Sequence, residues 1–138
     1  MKRIWLIRHG EPVAEARGRC YGSLDFGLSE SGRGQMERAA DYVRSEPISA
    51  VYTSPRSRAR EGATILAATV SAPVLEVAED LREMDFGDFE GLPYDVIAAR
   101  DPELYQLWME NPAEVHFPNG ESFQIGRASC RERVLMPV

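Results

Sequence analysis

Three short apolar runs separated by two stretches of helical period constrain this chain more than any other feature. Residues 4–7, 48–53 and 73–77 are rich in β-branched and other apolar residues and are bounded by polar residues, proline or glycine, so they read as strands. Between the first two, Met36, Ala39, Ala40 and Val43 recur at three- and four-residue steps behind Ser29, a good helix N-cap. Between the second and third, Ala63, Ile65, Leu66 and Ala67 continue another helix. Strands alternating with helices of this length need crossover connections. The order therefore predicts an α/β fold: a three-layer sandwich whose mainly parallel sheet is flanked by helices. Ligands of such sheets bind at the carboxyl ends of the strands.

Two clusters of reactive residues fall at those ends. The first run stops at Arg8-His9-Gly10-Glu11. An imidazole can attack phosphorus as a nucleophile, a neighbouring guanidinium offers a fork of donors matched to phosphate oxygens, and Gly10 lets the backbone turn closely around an anion. The second run leads into Ser54-Pro55-Arg56-Ser57-Arg58-Ala59-Arg60, where Ser54 reads as a cap and Pro55 as the first helical residue. Alternate helix positions diverge by about 200°. The three arginines therefore cannot share one ligand, and one or two of them are expected to be solvated. Residues 11–27 show no period and contain Gly18, Gly22 and Gly27, as a ligand-contacting loop over the sheet edge would.

Composition narrows the partners. A chain of 138 residues suits one core and is short for two domains, and a net charge of −6 argues against a broad nucleic-acid footprint. Any bound anion must then be held by a local arginine cluster. No apolar run approaches the roughly 20 residues of a membrane span, and the first strand begins too early for a signal peptide, so a cytoplasmic protein is expected. Cys20 and Cys130 are read as thiols without a role.

Further motifs bring in a family. The Arg8-His9-Gly10 end of the first strand, Ser54 and Arg58-Ala59 after the second, and the run from Leu81 through Glu83 and Gly87 to Glu90-Gly91 together resemble the histidine phosphatase superfamily, the phosphoglycerate-mutase-like enzymes. Pro118-Asn119-Gly120-Glu121-Ser122-Phe123 matches the motif of its phosphatase branch, and with Trp108 the chain looks most like the α-ribazole phosphatases of cobalamin nucleotide-loop assembly. The resemblance implies phosphomonoester hydrolysis through a phosphohistidine. In it His9 is the nucleophile, Arg8 and Arg58 hold phosphate, Glu83 protonates the leaving oxygen, and Tyr21 and Gly22 touch the substrate, while Arg56 and Arg60 read as an exposed basic helix face. It implies no cofactor and no metal. Asp85, Asp88 and Glu90 read as solvated loop charges, His116 as structural or exposed. A helical stretch opening at Pro93 is expected to break at Asp101-Pro102, with Leu104, Leu107 and Trp108 on its apolar face.

The chain departs from the family in three places. Glu15 stands where many members carry a phosphate-binding asparagine, and a carboxylate there would repel the same group. The family's second catalytic histidine, usually within an apolar-Ser-His-Gly stretch, has no counterpart, since His9 and His116 are the only histidines. The resemblance stops near Gln124, and Ile125 to Val134 reads as the translation of a common sequencing-adapter sequence. Residues 1–124 are thus read as the N-terminal portion of the domain and 125–138 as a non-native tail. Two rivals to the phosphatase follow: a mutase returning the phosphoryl group to its substrate, and a phosphate-binding module without turnover.

Overall fold

A computed structural model describes residues 3–72 and 74–123. The expected tail and Cys130 lie outside the described residues. The chain divides into two compact units, residues 1–14 with 26–79, and residues 15–25 with 80–138. Where composition suggests one core, the described residues hold two apolar clusters, one in each unit.

In the first unit the order is α1 (Glu30–Tyr42), β1 (Val51–Thr53), α2 (Ser57–Val70) and β2 (Leu75–Val77). The strands pair in parallel, Val51 opposite Leu75 and Thr53 opposite Val77, as the helix between them requires. Helix α1 starts where its cap says it should: the Ser29 hydroxyl oxygen accepts a hydrogen bond from the Gly32 N–H at 2.9 Å. Its periodic residues Met36, Ala40 and Val43 are buried, and Ala40 and Val43 pack with Leu66 of α2 against Ile48, Val51, Ile65 and Val70. Glu61 of α2 ties the two helices together by accepting from the Leu28 N–H and pairing with Arg33 at 2.8 Å.

Two local expectations are corrected. Residues 4–7 form no strand; Ile4 and Leu6 are 87% and 94% exposed. A strand exists only through its hydrogen-bonded neighbours, and no described segment pairs with this run. Helix α2 begins at Ser57, with Arg56 in the cap position, rather than at Pro55 behind Ser54. The reason is local: the Ser54 hydroxyl accepts from the Arg56 N–H at 3.4 Å, closing a turn that delays the helix.

The second unit holds α3 (Tyr94–Arg100) and α4 (Pro102–Glu110), broken at Asp101-Pro102 as expected. The Asp101 carboxylate accepts from the Leu104 N–H at 3.3 Å and so caps the second helix where the first one ends. Its core is Cys20, Phe89, Ile97, Val115 and Phe117, against which Leu104, Leu107 and Trp108 pack. Trp108 meets the rings of Phe86, Phe89, Tyr94, Tyr105 and Phe117 with centroids 5.0–6.4 Å apart, within the range of favourable aromatic pairs. Among the described residues, no helix is long and apolar enough to cross a membrane.

Candidate active-site residues

Arg8, His9 and Arg58 lie in the first unit; Tyr21, Gly22 and Glu83 lie in the second. His9 is half-buried, and its Nδ1 lies 2.7 Å from the carbonyl oxygen of Gly10. A carbonyl oxygen can only accept, so Nδ1 carries the proton. In the neutral ring Nε2 then holds the lone pair, as a nucleophilic imidazole needs. Gly10 itself is required by packing: a Cβ there would run into the backbone of Gly32 in the first turn of α1. Its close approach is to protein, where the sequence suggested an anion.

The three arginines around the start of α2 occupy different surroundings. Arg58 is 2% exposed, with its backbone N–H on the carbonyl of Phe26 at 3.1 Å. Arg60 is exposed. Arg56, expected to be solvated, instead has a buried Nε without a hydrogen-bond partner. Arg8 is exposed, and Glu15 is an exposed residue of a short 3-10 turn, Ala14–Ala16.

In the second unit one carboxylate organises the loop that carries Tyr21 and Gly22. Glu90 accepts from the backbone N–H groups of Gly22, Ser23, Leu24 and Phe86 at 2.9–3.2 Å. Burial by itself would push this carboxyl up; the four amides outweigh it and hold Glu90 below the ordinary glutamate range. Glu90 is therefore no solvated charge, which corrects the sequence reading. Nor is Asp85, whose carboxylate accepts from the Gly87 N–H at 2.8 Å and the Ser23 hydroxyl at 3.3 Å. Asp88 is exposed and accepts from the Asn119 amide at 3.1 Å. A Cβ at Gly22 would collide with the Met84 carbonyl oxygen and the Phe86 ring, so only glycine fits there. Half-buried Tyr21 lies near Tyr94, whose hydroxyl is pushed up by burial and then by Cys20, Tyr21 and Tyr105.

Glu83 is exposed, with Oε1 accepting from the Met84 N–H at 3.0 Å. The segment around it is gripped by Glu121. Glu121 accepts from the Asp85 N–H at 3.0 Å, returns its own N–H to the Asp85 carbonyl at 2.8 Å, and pairs through both carboxylate oxygens with Arg82. Sequence reasoning missed Glu90 and Glu121 as structural anchors, although both sit inside the motifs that carry the family likeness. His116 is exposed and bridges Ser122 in backbone pairing. Among the described residues, no group of three or more His, Cys, Asp or Glu side chains is placed to hold a metal ion.

Comparison with known proteins gives one family. Residues 4–134 match the profile of the histidine phosphatase superfamily, branch 1. A bifunctional protein of Mycobacterium tuberculosis is 39% identical over 122 residues, which cover 88% of this chain and 33% of that protein. A mycobacterial glucosyl-3-phosphoglycerate phosphatase superposes with a TM-score of 0.82 at 31% identity, covering 91% of this chain and 58% of that one. A putative α-ribazole-5′-phosphate phosphatase of Escherichia coli gives 0.80 at 26% identity, covering 93% and 63%. This chain thus spans less than two thirds of the proteins it matches. The likeness bears out the α/β fold with helices flanking a parallel sheet.

Proposed function

Because the chain belongs to branch 1 of the histidine phosphatase superfamily, we propose that it hydrolyses phosphate monoesters through a phosphohistidine on His9. The observation that supports this reading is the Nδ1 of His9 at 2.7 Å from the Gly10 carbonyl, a contact that favours Nε2 for the nucleophilic role. In the first step Nε2 forms a bond to phosphorus and the ester P–O bond breaks. Arg8 and Arg58 hold the equatorial oxygens as charge develops, and Glu83 gives its proton to the departing alcohol oxygen. In the second step water attacks phosphorus, the N–P bond breaks, and the water proton passes to the Glu83 carboxylate, which regenerates the acid. Inorganic phosphate leaves.

The substrate class is a small-molecule phosphomonoester of an alcohol. Within it, α-ribazole 5′-phosphate is the specific candidate, supported by the motif from Leu81 to Gly91 and by the likeness to the Escherichia coli protein. We place the enzyme in the cytoplasm and assign residues 1–124 to the phosphatase domain. The test is to quench the full-length protein during turnover and map the phosphate. An acid-labile phosphoryl group on His9, absent in His9→Ala, is the expected result. Label on another residue, or phosphate binding with no phosphoenzyme at all, would overturn the proposal, and the second outcome would favour the binding module.

A further inference from the structure

The proposed acid, Glu83, is exposed and its carboxylate is held by the amide next to it. A proton donor must meet the leaving oxygen within hydrogen-bond reach, so the backbone that carries it has to be fixed. Residues 82–86 belong to no helix or strand and supply no such rigidity themselves. Glu90 holds the far end through the Phe86 N–H, and Glu121 holds both sides of Glu83 itself: the Arg82 guanidinium before it and the Asp85 peptide, through N–H and C=O, after it. The Arg82 contact, followed by the Asp85 amide, keeps the Glu121 carboxyl below the usual glutamate range despite its partial burial, so the clamp stays charged.

We infer that Glu121 is a positioning residue for general-acid catalysis, bracketing Glu83 so that its carboxyl meets the leaving oxygen. The inference rests on the phosphatase reading above and on Glu83 as its acid. Its consequence depends on the leaving group. An alkoxide needs the proton as it departs, whereas 2,4-dinitrophenolate leaves without one. Loss of the clamp therefore falls on alkyl phosphates and spares activated aryl phosphates, which a general loss of folding would not do.

The experiment measures kcat/KM of the full-length protein on β-glycerophosphate and on 2,4-dinitrophenyl phosphate, for the wild type, Glu83→Gln, Glu121→Gln and Glu121→Asp. General acids contribute roughly 10²–10⁴ in rate, so Glu121→Gln is expected to lose about 10–100-fold on the alkyl ester and under about threefold on the aryl ester. Glu121→Asp, which keeps the charge, recovers part of the loss. Hydrogen exchange at residues 82–86 should quicken in Glu121→Gln while exchange across α4 is unchanged. Equal losses on both esters, no loss on either, or unchanged exchange at 82–86 overturns the inference. If Glu83→Gln discriminates between the esters and Glu121→Gln does not, the inference alone has failed. If Glu83→Gln does not discriminate, the assignment of the acid has failed and this inference falls with it.

Discussion

Both carboxylate oxygens of Glu90 accept a hydrogen bond from the backbone N–H of Gly22, each at 3.0 Å. The two residues are 68 positions apart, and this contact, with those to Ser23 and Leu24, fastens the Tyr21–Gly22 loop to the segment that carries Glu83. Removing the acceptor leaves several half-buried amides unpaired, so Glu90→Ala should destabilise the protein by about 1–3 kcal/mol. Because the folded state lowers the Glu90 pKa, its contribution is complete above the unfolded carboxyl value of about 4.3 and is lost as pH falls through the folded value. The difference in melting temperature between wild type and Glu90→Gln should therefore be constant from neutral pH down to about 5 and shrink in stronger acid. A difference that grows on acidification would show that Glu90 acts otherwise.

Arg58, Arg56 and Arg60 should separate by function. Arg58→Ala is expected to lower kcat/KM by roughly 10²–10³-fold if its buried guanidinium stabilises developing charge, and Arg60→Ala by little. Arg56 offers a different measurement, since its buried Nε has no partner. An unsatisfied buried donor costs about 1–3 kcal/mol, so Arg56→Leu should raise the melting temperature and leave kcat/KM nearly unchanged. A large kinetic loss in Arg56→Leu, or equal kinetic losses in all three variants, would point to a shared anion surface instead.

Cys20 has 0% exposure, and burial together with the nearby Glu90 charge pushes its thiol up to about 12. A thiol protonated at working pH and sealed from solvent is inert. Labelling with a disulfide reagent at pH 8, read by peptide mass to distinguish Cys20 from Cys130, should reach Cys20 only in denaturant. Stoichiometric labelling of native protein within minutes would contradict its place in the core.

Features whose causes lie within a few residues were legible in the chain itself. Ser29 accepts from an amide three positions on, and Asp101 does the same at the break between α3 and α4, so caps and breaks follow from local chemistry. The parallel pairing of residues 51–53 with 75–77 follows as directly, because a single helix joins the two strands. The candidate residues His9, Arg58 and Glu83 came from motifs, and it was the family resemblance, not the angular spacing of alternate helix positions, that singled out Arg58, which the fold buries.

Tertiary structure decided what depends on distant partners. An apolar run such as residues 4–7 carries strand propensity, but pairing comes from a neighbour the run cannot specify. Glu90 and Glu121 look like ordinary loop acids in one dimension; their partners lie up to 68 and 39 positions away, and only the folded chain brings amides and a guanidinium to them. Local hydrogen bonds and periodicity wrote the elements into the sequence, whereas the charge of a carboxylate acquires its role from whichever donors the fold delivers.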